Sequence, residues 1–175
     1  MNKYLYALTF VSEDKPGIVA RTTHVLFEKG FNIQDSSSTL LQGVFSMILL
    51  VEHQEHLLVE EIEAFFPKDL KPSVYLMENK KQNKSGLPEH YVLSVYGADK
   101  PGIVHTITEE LYKQGINIVD LQTQSTGVPP KDTYIMILEI LVPEALGDGW
   151  TTPLKEVAKN IGTDVTVRRL ETYEL

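Results

Sequence analysis

Asp14-Lys15-Pro16-Gly17-Ile18-Val19 recurs letter for letter as Asp99-Lys100-Pro101-Gly102-Ile103-Val104, 85 positions further on. Each copy sets a carboxylate, a cation, a proline and a glycine directly ahead of a helix-like apolar run. A strand-to-helix turn of that kind gathers the orphan amide donors of the first helical turn and the positive end of the helix dipole. An anion can bind there. Gly17 and Gly102 remove a side chain where a carboxylate needs close backbone approach. Pro16 and Pro101 fix the turn, Asp14 and Asp99 can cap it or take an ammonium, and Lys15 and Lys100 supply positive charge. Together they suit both ends of an amino-acid zwitterion. A purely structural reading also stands: Pro and Gly at this point start a helix and let it pack closely on its strand.

Other candidate groups carry less. His53 and His56 form an H-x-x-H pair without a third ligand of matching spacing, so polar surface is the default reading and no metal is expected. His24 and His105 fall at non-equivalent places in the two copies, unlike a repeated catalytic base. Ser36-Ser37-Ser38 lacks the strand-to-helix nucleophile turn of an activated serine. No catalytic residue and no cofactor is therefore expected. The absence of cysteine excludes disulfides, thiolate zinc sites, iron–sulfur clusters and a cysteine nucleophile. A formal charge of -8 speaks against gripping nucleic acid by phosphate neutralisation, and Lys80, Lys81 and Lys84 read as linker solvation. The apolar run Met47 to Val51 is far short of the roughly 18 residues of a membrane helix, and Met1-Asn2-Lys3 leads directly into strand-like sequence. A cytoplasmic protein is expected.

The elements that position the motif are also written twice. At the same offset Leu26 matches Leu111, Gly30 matches Gly115, Asn32-Ile33 matches Asn117-Ile118 and Asp35 matches Asp120. Beyond the next turn the offset grows to 89, pairing Met47-Ile48-Leu49 with Met136-Ile137-Leu138, so the second copy carries four extra residues in a hairpin loop around 127–132. Tyr4, Tyr6, Leu8 and Phe10, like Tyr91, Leu93 and Val95, alternate as in a strand. Ile18, Thr22, Val25 and Leu26, and Ile103, Ile107 and Leu111, have helical spacing. The pattern predicts each helix to begin at its proline and to end at Gly30 or Gly115, the two glycines reading as left-handed helix-terminating residues. A hairpin follows, with its turn at Gln42-Gly43 in the first copy, then a second helix over Leu58, Ile62, Phe65 and Phe66 or over Leu154, Val157, Ala158 and Ile161. The closing strands are expected near 71–78 and 163–170. Asn32 and Asn117 open the second strands, where an amide either holds a loop or hydrogen-bonds a ligand from a neighbouring unit. Asp35 and Asp120 read as solvated strand residues.

The order βαββαβ, twice, gives an α+β fold class: two ferredoxin-like units, each an antiparallel sheet with two helices on one face. The expected domains are 1–79 and 89–175, joined by a polar linker over 80–88. A unit of about 80 residues with one bare sheet face gains by pairing, within the chain or as a homodimer.

These residues resemble the ACT domain family, whose strand-to-helix loop reads D-[KR]-P-G-[IV] and whose second strand opens with G-x-N-I. Asp14 to Ile18 with Gly30-Phe31-Asn32-Ile33, and Asp99 to Ile103 with Gly115-Ile116-Asn117-Ile118, carry both motifs. The resemblance covers nearly the whole chain apart from the linker. It implies an amino-acid-sensing module with Asp14, Lys15, Pro16, Gly17, Ile18, Asn32 and Ile33, and Asp99, Lys100, Pro101, Gly102, Ile103, Asn117 and Ile118, as ligand-binding residues. A free-standing tandem pair of this length is most similar to the repressors of the glycine cleavage system. That likeness implies regulation through a LysR-type transcription activator, without contact to DNA and with glycine relieving the repression. Those repressors have a more degenerate loop in the second copy; here it is intact, which extends the expectation of ligand binding to both halves. The rival readings are a ligand-independent interaction module and an enzyme on a ferredoxin-like scaffold.

Overall fold

The computed structural model describes residues 3–77, 88–127 and 133–170. The chain divides into two compact units, Met1–Gln82 and Asn83–Leu175. The expected linker falls almost wholly, and the expected hairpin insertion largely, outside the described residues.

In the first unit β1 (Tyr4–Glu13), α1 (Ile18–Glu28), β2 (Asn32–Leu41), β3 (Val44–His53), α2 (Val59–Ala64) and β4 (Ser73–Met77) follow one another, with a 3-10 turn at Lys68–Leu70. The second repeats the order as β5 (Glu89–Ala98), α3 (Ile103–Lys113), β6 (Asn117–Thr126), β7 (Thr133–Val142), α4 (Thr151–Asn160) and β8 (Thr163–Arg169). The sheets have the orders β2-β3-β1-β4 and β6-β7-β5-β8, with every pairing antiparallel. This is the expected ferredoxin-like arrangement in both halves.

Alternation along the central strands decides which face is covered. Tyr6, Leu8 and Phe10 of β1 and Met47, Leu49 and Val51 of β3 are buried with Ile18 and Leu26 of α1 and Ile62 of α2 in one core. Leu93, Val95, Met136, Leu138 and Ile140 do the same with Ile103, Ile107, Leu111, Leu154 and Ala158. Burial of such side chains contributes about 1.5–3 kcal/mol each, which makes these two clusters the main stabilising term of their units. Within each unit, among the described residues, the opposite sheet face has no helix over it.

Three expected boundaries move. The first helices begin at Ile18 and Ile103, two residues later than expected, because Gly17 and Gly102 take φ of +94° and +95° and cannot be helical. The prolines therefore lie in the turn ahead of the helix. At the other end Gly30 and Gly115 are left-handed, as expected; the Phe31 and Ile116 amides reach back to the Leu26 and Leu111 carbonyls (2.9 and 3.0 Å) to close the terminus. The second helix of the first unit stops at Ala64, leaving Phe65 and Phe66 beyond it, since Pro67 disfavours helical geometry just before itself. Its counterpart α4 runs ten residues and follows a 3-10 segment, Glu144–Trp150, whose Trp150 is buried edge-on against Tyr91 at 5.3 Å.

Candidate functional site

The repeated loop leaves β1 or β5 at one end of the sheet and enters the helix through the left-handed glycine. A residue with φ near +95° is tolerated by glycine and strained for others. Space is not what demands glycine here: a Cβ built on Gly17 or Gly102 meets nothing within 4 Å. The first helical hydrogen bonds are Arg21 N–H to Gly17 O and Thr106 N–H to Gly102 O, both 2.9 Å. The amides of residues 18–20 and 103–105 thus lie ahead of the first intrahelical bond, and no side chain caps either helix. Asp14 and Asp99, expected as possible caps, do not act as caps. The Asp14 backbone amide instead donates to Gly43 O (3.0 Å), tying the loop to the β2–β3 turn. Lys15 and Asp14 are exposed, and the Lys15 ammonium lies 3.5 Å from the Glu13 carboxylate.

An open pocket of about 320 Å³ lies at the first loop, lined by Asp14, Lys15, Gly17, Ile18, Val19, Ala20 and Phe45. At the second loop one of about 460 Å³ is lined by Lys100, Gly102, Ile103, Val104, His105 and Tyr134. Phe45 and Tyr134 are equivalent residues of β3 and β7, and reading the loop motif alone missed both. The 89-residue offset of the hairpins pairs them and was the signal available. Ile18 and Ile103 bury their side chains in the core, so their part in these pockets is chiefly that of the first helical amide.

The two pockets have different walls. Ala20 and Phe45 give the first an apolar side, whereas His105 and Tyr134 place an imidazole and a phenol in the second. Burial pushes the Tyr134 phenol above its ordinary range, with the Thr123 hydroxyl pulling it the other way and the Asp99 charge adding to the rise. His105 also lies 3.7 Å from Glu109 on the next turn.

Asn32, Ile33, Asn117 and Ile118 stand elsewhere. Asn32 pairs with Glu52 where β1 starts, while the loop emerges where β1 ends, opposite Val44. A ten-residue strand separates them by about 30 Å. Asn117, paired with Leu141, is set apart from Gly102 in the same way. Within one unit, loop and asparagine cannot share a ligand. Both asparagines are exposed; Ile33 is partly exposed and Ile118 packs against its core.

A β-bulge at Gln34 and at Val119 follows each pair, between Ile33 and Asp35 and between Ile118 and Asp120. The extra residue turns Asp35 and Asp120 to the helix-free face and so keeps a carboxylate off the core side. The Asp35 carboxylate accepts from the Ser36 amide (2.7 Å), and that of Asp120 from the Gln122 amide group (3.1 Å).

The histidine pair is committed to packing. His53 Nδ1 accepts the Glu55 amide (3.1 Å) and its ring lies 4.8 Å from Phe31, while His56 meets Tyr4 edge-on at 5.1 Å. Among the described residues no three His, Asp or Glu side chains are grouped as a metal site, and no helix is long and apolar enough to cross a membrane.

Comparison with known proteins follows this geometry. Two family models, both described as the ACT domain, match residues 7–71 and 91–146. The UPF0237 protein of Methanosarcina mazei is 42% identical over 52 residues, 30% of this chain and 56% of that protein. A UPF0237 protein of Streptococcus pneumoniae is 40% identical over 62 residues, 33% of this chain and 70% of its own. The chain spans little more than half the length of the first of these curated relatives. A crystal structure of a protein of unknown function from Galdieria sulphuraria superposes with a TM-score of 0.83 at 25% identity, covering 97% of this chain and all of that one. A second, provisionally assigned as a glycine cleavage system transcriptional repressor, gives 0.74 at 15% identity over 98% of this chain and all of that one. At that identity the likeness is one of fold.

Proposed function

Because the chain belongs to the ACT domain family and carries two of its domains in tandem, we propose that it is a non-enzymatic regulator that binds a small amino acid, glycine or one of similar size, at its two helix-start loops. The observation that carries this reading is the duplicated, uncapped helix N-terminus over a left-handed glycine, each with an open pocket beside it. The free amides of residues 18–20 and 103–105 suit a carboxylate, and Asp14 or Asp99 a ligand ammonium. Asn32 and Asn117, about 30 Å from the loop of their own unit, take no part in the pocket beside that loop. Regulation then requires that the ligand bind one arrangement of units better than another, and a coupling of about 1–3 kcal/mol suffices.

The output is a protein contact, and by likeness to glycine cleavage repressors its partner is a LysR-type transcription activator in the cytoplasm. A charge of -8 supports action through a protein rather than through DNA. The test is a thermal-shift panel of free amino acids, glycine and serine included, followed by calorimetry. A ligand at 100 times its dissociation constant adds about 2.7 kcal/mol of stability. Ala20→Glu with His105→Glu sets a carboxylate beside each pocket, where the helix dipole tolerates it but a ligand carboxylate is repelled. A selective shift lost in this double variant is the expected outcome. No shift with any amino acid, borne out by calorimetry, would leave a ligand-independent interaction module.

A further inference from the structure

The two loop pockets are built on the same backbone and differ at positions that vary between the copies. Offsets of 85 and 89 place His105 where the first unit has Ala20, and Tyr134 where it has Phe45. Two apolar side chains are thus exchanged for an imidazole and a phenol, each able to donate a hydrogen bond. The balance of charge shifts with them. Asp14 and Lys15 both line the first pocket, and the Lys15 ammonium stands 3.5 Å from the Glu13 carboxylate. In the second unit Ala98 stands where the first has Glu13, Lys100 makes no ion pair among the described residues, and no carboxylate lines the pocket among them. Glu109, 3.7 Å from His105, lies 3.5 Å from Lys113 as well, so its charge is already shared. The second pocket is also the larger, about 460 Å³ against 320 Å³. The helix-start amides are common to both loops and cannot discriminate between ligands; these side chains can.

We infer that the second pocket is selective for a ligand with two carboxylates, an acidic amino acid of which aspartate is the smallest, and that His105 and Tyr134 determine this specificity. The inference rests on the reading of both loops as amino-acid sites and refines it for the second. One carboxylate lies at the amides of residues 103–105, as that of glycine does at either loop. The other meets the His105 imidazole and the Tyr134 phenol, with Lys100 lining the same pocket. Hydrogen bonds to a charged group are the stronger kind. Asp99, whose charge reaches the Tyr134 phenol, is left for the ligand ammonium. In the first pocket a second carboxylate would face Ala20 and Phe45, which offer no donor in place of the water it loses, and would stand near Asp14. A dicarboxylate without an amino group shares the two-carboxylate chemistry, so the test must separate aspartate from succinate.

Calorimetry on the full chain separates the sites through single variants that each close one pocket. With the first closed by Ala20→Glu, L-aspartate should bind about tenfold tighter than L-asparagine, which has the same shape without the charge, as one charge-assisted hydrogen bond would give. With the second closed by His105→Glu, aspartate should gain nothing over asparagine. Placing the first pocket's residues in the Ala20→Glu protein, as His105→Ala with Tyr134→Phe, should remove the preference and leave glycine binding in place. Equivalent positions of the first unit already carry both residues, and far-ultraviolet circular dichroism checks that each variant is folded. Succinate should bind Ala20→Glu more weakly than aspartate does; binding as tight as that of aspartate overturns the choice of an amino acid. Equal affinity of Ala20→Glu for aspartate and asparagine overturns the inference, as does a preference that survives the paired substitution, and glycine binding in the same experiments leaves the loop reading standing. A wild type that binds neither succinate nor any of the three amino acids overturns the loop reading and the inference together.

Discussion

Gly17 and Gly102 are the residues on which the loops turn, and their requirement is conformational. Since a Cβ at either place meets open space, Gly17→Ala tests backbone strain with no steric clash. The expected loss is about 1–2 kcal/mol, the cost of holding an L-residue in the left-handed region. Chemical denaturation without any ligand measures it, and an unchanged midpoint would show that the loop relaxes into another conformation. A different constraint acts at Gly97, which stands where the first unit has Ser12. A Cβ there would come within 2.9 Å of Gly162 O and the Thr163 side chain. The second unit has closed its α4–β8 turn onto its first strand at a point where the first unit has room for a hydroxyl. The same divergence separates Thr22, buried with an unpartnered hydroxyl, from its counterpart Ile107.

At the scale of elements, α1 is tied to the segment after α2 by Arg21 and Asp69, whose two hydrogen bonds of 2.9 and 3.1 Å form a bidentate pair. The Arg21 guanidinium holds the Asp69 carboxyl below its ordinary value, chiefly through the hydrogen bonds, and the Arg21 pKa is raised in turn. A depressed carboxyl contributes stability that is present above its unfolded pKa, near 3.8, and is lost as pH falls through its lower folded value. Asp69→Asn should therefore unfold at lower temperature than the wild type at neutral pH, with the difference shrinking as pH drops below about 4. Thermal melts across that range read it directly, and a difference independent of pH would assign the effect to packing. Both side chains are exposed, so added salt should also narrow the gap.

At the scale of the whole molecule, duplication predicts stoichiometry. If both loops take ligand, calorimetry gives two ligands per chain. Ala20→Glu or His105→Glu alone should then leave one, since each reaches only its own pocket. The surviving sites need not match, because one retains an Ala20 and Phe45 wall and the other His105 and Tyr134. A single variant that abolished all binding would mean that the two loops do not bind independently.

Repetition at a fixed offset made the duplication, the element order and the loop motif legible in the sequence, because alternation and helical spacing are local properties of the chain. The shift from 85 to 89 even located the hairpin that lengthens. Local pattern did not reveal that a φ near +95° would delay each helix by two residues, or that Phe45 and Tyr134 would line the pockets. Both follow from how the loop meets the sheet. The asparagines illustrate the limit best. They lie about 15 residues from the loop in sequence, yet the crossover through α1 or α3 returns the chain to the opposite end of the sheet before they occur. Alternation identifies two faces on every strand, but only strand order shows which side chains gather on each.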